Sequence, residues 1–287
     1  MVNSLRTKNN TAQELQDHVL DTYLSLRIGI IVIAIAFPFW LWGVGALKYD
    51  VPRQASISAY YHASANDKYK DCEHLFQELA AKDGQVNSQA VDDNRVIQLC
   101  RATQYGAGAM RNWFVGVLFG VGVFLYLYKG FSTAENYALN IAGALALAIA
   151  LNPMDLWERS HVGTVHGFCA VTFFLAIAFV ALFCARDTLH LIGDEKERQR
   201  YSRLYLGLGA LMVILPLATW AYTVATNNGS KVFFLETAGI LAFSLYWLVK
   251  TLEIKSTQAL ARAAHGELEI VNGKVLPRGS AKNRKDD

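Results

Sequence analysis

Charged residues are scarce in this sequence, and their scarcity limits what the protein can be. They make up 18% of the 287 residues, against about 25% in soluble globular domains. The net charge of +3 is too small, and the basic residues are too scattered, for a nucleic-acid-binding surface. Apolar residues make up 53% of the chain and are gathered into long blocks. The composition therefore indicates a membrane protein, and no second globular domain is needed to explain its length.

Proline is rare as well, with five residues, and only Pro38 and Pro216 fall inside the apolar blocks. An uninterrupted apolar run of about 18 or more residues can cross a roughly 30 Å hydrocarbon core as a helix. The apolar runs predict six spans, at residues 28–47, 113–128, 137–151, 165–185, 204–224 and 232–249. The predicted fold class is therefore all-α, a polytopic membrane bundle with six transmembrane helices.

The segments outside the spans complete the predicted organisation. Residues 1–27 have apolar positions at helical spacing, which predicts a cytoplasmic amphipathic lead-in helix. Residues 28–250 form the transmembrane domain, with a long external loop at 63–110, and residues 251–287 form a cytoplasmic polar tail that is disordered at its end. No small-x-small cleavage site follows the first apolar run, so we expect that run to remain as a signal anchor.

Basic residues near the span ends set the predicted orientation, because they accumulate on the cytoplasmic side. In a six-span arrangement one side collects the N-terminal flank, the connection after span four and the tail. These segments carry Arg6, Lys8, Arg27, Arg186, Lys196, Arg198, Arg200, Arg203, Lys250, Lys255 and Arg262. Both termini are therefore predicted to be cytoplasmic, and the connections after spans one, three and five are external.

Cysteine is limited to four residues, and two of them share the predicted external loop. Cys72 and Cys100 would lie in a compartment that permits disulfides, and closing a loop of this size stabilises a chain by roughly 3 to 4 kcal/mol in the chain-entropy model. We therefore predict a Cys72–Cys100 disulfide. Cys169 and Cys184 fall inside span four and are expected to be buried apolar residues.

Polar and ionisable residues collect at the predicted external ends of the spans. Ionisable groups within a membrane segment are costly and tend to face the bundle interior, so His166 and Glu236 need partners. Arg111 is the natural candidate to neutralise Glu236. The candidate ligand-binding residues are Ser58, Tyr60, Tyr61, Arg111, Asn112 and Glu236.

One interpretation of this cluster is a metal site. His62, Asp155, His161 and His166 supply ligands that zinc accepts, with an open position for an activated water. His161 and His166 are five residues apart, so they do not share a helix face as an i, i+4 pair would. Ser58 and His62 do have i, i+4 spacing. That pair resembles the serine-x-x-x-histidine signature of the alkaline ceramidase and progestin-receptor superfamily of membrane hydrolases, whose later paired histidines are missing here.

Two other interpretations need no metal. The same residues can form a hydrogen-bonded and ion-paired cap on the outer end of the bundle. Alternatively, Tyr60, Tyr61, Trp113 and Trp157 can line a pocket for a lipid head group or small ligand, with Arg111 at its base, since arginine forks onto phosphate oxygens.

Several strings of the chain resemble, in register, a family of uncharacterised bacterial six-span membrane proteins. They are SISAYYH at 56–62, MRNWFVG at 110–116, YKG at 128–130, AG at 142–143, NP at 152–153, His166 ahead of FF at 173–174, LET at 235–237, AF at 242–243 and WLVK at 247–250. The match covers most of residues 28–250. More distantly, the architecture is similar to the Frag1/DRAM/Sfk1 group, whose members are linked to membrane-lipid handling and regulation.

Two features depart from that family pattern. Asn112 stands where the family usually has aspartate, so a carboxylate able to ligate a metal or move a proton is absent. The family also tends to join the tyrosine pair directly to the arginine, whereas this chain inserts the cysteine-bearing loop, which suggests a lineage-specific external cap.

The resemblance and the residues together predict a multi-pass protein of the bacterial plasma membrane. It binds or senses lipid or a small ligand at an outward-facing polar site, needs no cofactor, has membrane lipids as its partners and can be a homo-oligomer. The alternative is a metal-dependent lipid hydrolase that uses zinc. The sequence leaves open whether the protein is an enzyme.

Overall fold

The computed structural model describes residues 2–49, 51, 53–63, 110–152, 165–226, 231–271 and 274–279. Helices dominate these residues, in agreement with the predicted all-α class. The main helices are α1 (Val2–Tyr49), α2 (Arg111–Leu127), α3 (Thr133–Leu151), α4 (Val165–Phe179), α5 (Glu195–Thr226) and α6 (Val232–Ser256). A short 3₁₀ helix, Ser58–Tyr61, lies between α1 and α2; it is called the 58–61 turn below.

The apolar helices are compatible with a membrane location. Within the described ranges, α1, α3, α4 with its extension to Leu191, α5 and α6 are long and apolar enough to cross a bilayer. Helix α2 is also apolar but has 17 residues. Large apolar side chains remain exposed along these helices, among them Val32, Phe39, Phe168 and Ile214. A surface of this kind suits lipid rather than water.

Helices that follow one another in sequence pack against one another, and α1 closes the bundle by contacting both α6 and α2. The tightest contact is between α2 and α3, where Gly122 faces Gly143. A Cβ added at Gly122 would lie 2.9 Å from the Gly143 carbonyl oxygen, and one at Gly143 would lie 2.6 Å from the Gly122 carbonyl oxygen. Small residues let the two backbones approach, which is a typical packing mode of membrane helices.

The helix ends differ from the prediction in two places. The lead-in and span one form one continuous helix, α1. The charged segment 186–203, predicted as a loop, is largely helical because α5 already begins at Glu195. The Asp194 carboxylate accepts a hydrogen bond from the Lys196 N–H at 2.9 Å, and Glu195 pairs with Arg198. Acidic groups at a helix N-terminus and pairs at i, i+3 spacing stabilise such a charged first turn.

The predicted polar tail is also more structured than expected. Helix α6 continues to Ser256 and is followed by a short helix, α7 (Ala259–Ala264), which begins after Gln258 with its left-handed backbone (φ 51°). Strands β1 (Leu268–Val271) and β2 (Lys274–Pro277) then form an antiparallel hairpin. Strand β2 packs against the 3₁₀ segment Ala185–Leu191 that extends α4, and Val275 is buried there. The predicted disordered end lies outside the described residues.

Candidate functional site

The candidate site is built on the 58–61 turn, which is fastened to two helices by backbone hydrogen bonds. The Phe233 N–H donates to the Ala55 carbonyl at 2.7 Å, and the Met110 N–H donates to the Ala63 carbonyl at 3.4 Å. The Ser56 hydroxyl accepts from the Ala59 N–H at 3.0 Å, as a serine at a turn commonly does. The turn therefore holds a fixed position between the first residues of α6 and α2.

Tyr60 packs this turn against helices α1 and α6. Its side chain is fully buried, lies 3.2 Å from the Cβ position of Gly45 in α1, and packs on Phe233 with the ring centroids 6.2 Å apart. Its hydroxyl accepts a hydrogen bond from the Gln54 N–H at 3.4 Å. Burial raises the pKa of the Tyr60 phenol, so the group stays neutral. Tyr60, predicted as a ligand contact, therefore belongs to the core that supports the site.

Glu236 binds the same turn from α6. One carboxylate oxygen accepts the Ile57 N–H at 2.5 Å, and the Ser58 N–H also donates to the carboxylate. These are charge-assisted bonds from two successive backbone donors, which form a small anion-binding concavity. The sequence suggested Arg111 as the partner of Glu236, whereas the structure supplies the backbone of the turn.

His166 joins the turn to the end of α3. Its Nδ1 lies 2.8 Å from the Asn152 carbonyl oxygen, and its Nε2 lies 2.9 Å from the Ser58 hydroxyl. A carbonyl can only accept, so Nδ1 carries the proton and Nε2 accepts from the Ser58 hydroxyl. His166 is buried, and Ser58 is partly exposed. The histidine is thereby held in one tautomer, in which the Nε2 lone pair accepts from a serine hydroxyl.

Cationic and aromatic side chains form the rim of the site. The Arg111 guanidinium lies over the Tyr61 ring at 5.2 Å, and the Arg53 guanidinium lies over the Phe234 ring at 4.7 Å. Trp40 and Trp113 pack edge to face, with 5.3 Å between their ring centroids. Arg53 and Asn112 are exposed, and Arg111 is partly exposed. This set of residues, Arg53, Arg111, Asn112, Trp40 and Trp113, is called the arginine rim.

The structure describes two of the four predicted metal ligands, His62 and His166. Asp155 and His161 lie outside the described residues, as do Trp157, Cys72 and Cys100, so the metal set and the disulfide stay predictions. Among the residues that are described, no group of three or more histidine, cysteine, aspartate or glutamate side chains could hold a metal ion. The two described cysteines, Cys169 and Cys184, are free and buried, as expected.

The predicted pairing of Ser58 with His62 depended on α-helical spacing. The turn is a 3₁₀ helix with about three residues per turn, so residues four apart do not share a face. The Ser58 hydroxyl contacts His166 instead. His62 is buried next to Tyr61, with 4.9 Å between the ring centroids.

A second polar cluster, missed in the sequence, lies at the opposite end of the bundle. The ammonium of Lys250 donates to Glu253 at 2.7 Å, to Thr188 at 2.5 Å and to the Ala185 carbonyl at 2.9 Å. Glu253 also accepts from Thr188 at 2.6 Å and from Tyr205 at 2.7 Å. Both ionic side chains are buried, at 1% and 0% exposure. This lysine network joins the extension of α4 to α5 and α6.

Arg27 lies in the same end of the bundle. Its Nε donates to the Thr251 hydroxyl at 3.0 Å, its Nη1 donates to the Tyr128 hydroxyl, and its guanidinium lies 4.8 Å from the Trp247 ring centroid. Their positions in the sequence predict that Arg27 and Lys250 are membrane-flanking charges, whereas both side chains are buried. The Lys250-x-x-Glu253 spacing within an apolar helix was the signal that could have revealed the burial of Lys250.

Comparison with known proteins adds no relative to this description. No protein-family model matches the chain, no curated protein matches it, and no solved structure matches it.

Proposed function

We propose that this chain is a six-span protein of a bacterial plasma membrane that binds an anionic group, carried by a lipid head group or a small ligand, at the arginine rim. Both termini are cytoplasmic in this proposal, and the rim faces the outer leaflet. The observation that carries the proposal is the pairing of two arginines with aromatic rings, Arg111 over Tyr61 and Arg53 over Phe234, at one end of the bundle.

Helix α2 is the sixth span in this proposal. Its 17 residues correspond to about 26 Å at 1.5 Å per residue, close to the roughly 30 Å of a hydrocarbon core. Trp113, which lies in its first turn and is partly exposed, has the amphipathic character of an interfacial residue. Its close contact with α3 through Gly122 and Gly143 supports the same span, because the two helices run side by side.

The charges at this end suit an anion. The described residues there include the basic side chains of Lys48, Arg53, Arg111 and Lys231, whereas Glu236 is their one acidic residue. The Glu236 carboxylate is already bound by the turn backbone. Basic side chains thus outnumber acidic ones among the described residues of this end, and a planar guanidinium can bind two phosphate oxygens at once.

Neighbouring tryptophan residues indicate where the site lies relative to the lipid head groups. Trp40 is exposed and packs against Trp113 beside Arg111 in the sequence. Tryptophan prefers the boundary between acyl chains and head groups, where a lipid phosphate also lies. A phospholipid can therefore place its phosphate at the arginines while its chains lie along exposed apolar residues of α1.

Lipid binding tests this proposal directly. The purified chain is placed in nanodiscs of phosphatidylcholine mixed with phosphatidylglycerol, released, and examined by native mass spectrometry for bound lipid. We expect preferential retention of phosphatidylglycerol, and a loss of about tenfold or more in the Arg53→Ala/Arg111→Ala variant, since two charge-assisted contacts are removed.

The matched control is Arg200→Ala/Arg203→Ala. It removes two exposed charges near the start of α5, at the end of the bundle opposite the arginine rim. This control should retain phosphatidylglycerol as the unchanged protein does. Equal retention by both double variants would show that lipid is held by general charge, and the proposal would be wrong.

A further inference from the structure

The Ser58–His166 contact has a geometry that ligand binding alone does not require. We propose that Ser58 is a nucleophile activated by His166, and that the site cleaves a carboxylic ester whose alcohol or acyl part carries an anionic group. The inference rests on the proposed function for its substrate class, because the arginine rim supplies the recognition of the anion.

The positions of two protons define the roles of Ser58 and His166. The serine hydroxyl donates to Nε2 at 2.9 Å, and Nδ1–H is held by the Asn152 carbonyl at 2.8 Å. A nucleophile, a neutral base and a group that orients the base are the three parts of an activated serine. The third part here is a backbone carbonyl instead of a carboxylate.

The Asn152 carbonyl, which orients His166, is held in position by hydrogen bonds to the end of α3. Asn152 follows the last residue of α3, and its backbone N–H and its side-chain amide both donate to the Ala148 carbonyl, at 2.9 and 2.8 Å. The Asn152 carbonyl therefore presents a fixed acceptor to His166. A base whose ring cannot turn keeps its lone pair on the serine, which lowers the reorganisation that the reaction requires.

Ser58 is held with equal firmness. It is the first residue of the 58–61 turn, and the carboxylate of Glu236 binds its backbone N–H and that of Ile57. Ser58 is partly exposed, whereas His166 is only 4% exposed. An ester, and then the water of the second step, can thus approach Ser58 from its exposed side, while His166 is held within the bundle.

The chemistry balances with water as the only co-reactant. Ser58 Oγ adds to the ester carbonyl carbon as its proton passes to His166 Nε2. The carbon–oxygen bond to the alcohol then breaks, and the alcohol leaves with that proton. Water attacks the acyl-serine, giving one proton to Nε2, and Ser58 recovers this proton as the carboxylic acid departs.

A fluorophosphonate probe tests the nucleophile in the full-length, detergent-purified chain. The probe phosphonylates activated serines irrespective of lipid recognition, and intact mass with peptide mapping locates the label. We expect labelling at Ser58, its loss in Ser58→Ala, and a rate at least about a hundredfold lower in His166→Gln, the usual contribution of a general base.

The control is Ser202→Ala, which removes another partly buried serine at the far end of the bundle and should label as the unchanged protein does. Thermal unfolding of each variant identifies any loss caused by misfolding, and only variants that unfold as the unchanged protein does are compared. An unlabelled Ser58 in the folded protein would overturn the inference, as would equal rates with and without the imidazole.

Turnover assays separate this inference from the proposed function. Fatty acid release from phosphatidylglycerol vesicles, lost in Ser58→Ala while lipid binding persists, supports both. Hydrolysis of a soluble nitrophenyl ester by a protein that does not retain phosphatidylglycerol supports the nucleophile and overturns the lipid site. Lipid retention without labelling or turnover leaves the lipid site and overturns the nucleophile.

Discussion

At the scale of single residues, the lysine network shows how hydrogen bonds can offset the unfavourable free energy of burying charges. Taking an ion pair out of water is unfavourable by several kcal/mol per ion, and the pair's own attraction seldom offsets that loss alone. Lys250 has three hydrogen-bond acceptors around its ammonium, and Glu253 accepts from Thr188 and Tyr205 in addition to Lys250. The completeness of these contacts makes the network sensitive to the loss of either ion.

Removal of one ion should therefore destabilise the protein strongly. We expect Lys250→Met to lower the free energy of unfolding by about 3–5 kcal/mol, because Glu253 is left as a buried, uncompensated charge. Urea or thermal unfolding in detergent measures the change. The Lys250→Met/Glu253→Met variant should recover part of the loss, since it leaves no unpaired charge behind.

Arg198→Gln is the matched control for this prediction. Arg198 and Glu195 have the same i, i+3 spacing as Lys250 and Glu253, but their side chains are 39% and 57% exposed. The loss of a screened surface pair costs about 0–1 kcal/mol. Equal destabilisation by Lys250→Met and Arg198→Gln would contradict the role given to burial.

The same residues mark a limit of sequence reasoning. Polar groups at the span ends could be predicted as a cluster, and Ser58, His166 and Glu236 do lie together. The inward direction of Arg27 could not, because a count of basic residues near span ends is the same whether the side chains face solvent or the bundle; that of Lys250 was indicated only by its spacing to Glu253. Nor does sequence spacing reveal a contact such as Ser58 with His166, which joins residues of two distant segments.

At the scale of elements, the contact between α2 and α3 depends on the absence of two side chains. A Cβ at Gly143 would lie 2.7 Å from the Tyr126 backbone nitrogen as well as 2.6 Å from the Gly122 carbonyl oxygen. Backbone atoms cannot rotate away as a side chain can, so the helices themselves would have to separate.

Gly143→Ala should therefore destabilise the bundle by about 1–3 kcal/mol, the usual cost of overpacking. Gly120→Ala is its control on α2, because a Cβ at Gly120 meets nothing within 4 Å; it should be neutral or slightly stabilising through its better helix propensity. Thermal unfolding of the two purified variants compares them. A lower melting temperature for Gly120→Ala than for Gly143→Ala would refute the close contact.

The helix ends show why hydropathy predicts where helices lie but not the residues at which they begin and end. The apolar cores of the helices could be predicted, whereas the start of α5 at Glu195 and the continuity of α1 could not. Charged residues can extend a helix into water when a capping group such as Asp194 is present. A hydropathy window predicts which part of a helix can contact lipid. It contains no information on the residue at which the backbone hydrogen bonds of the helix end.

At the scale of the whole molecule, the proposed orientation predicts a pattern of chemical accessibility. Single cysteines are introduced at exposed Asn112 and Gln199, which lie at opposite ends of the bundle, in a chain whose own four cysteines are replaced. A membrane-impermeant maleimide applied to intact cells should label Asn112→Cys and should label Gln199→Cys only after permeabilisation. The reverse pattern would invert the orientation and place the arginine rim in the cytoplasm.

Helix α1 is longer than one crossing of a bilayer requires. Its 48 residues extend over about 72 Å, more than twice the thickness of a hydrocarbon core of roughly 30 Å. Arg27, bound to Thr251 and Tyr128, lies near the midpoint, with about 38 Å of helix before it and about 33 Å after it. The part of α1 after Arg27 is by itself long enough to cross the hydrocarbon core, so the part before Arg27 is a helical arm that a single crossing does not use.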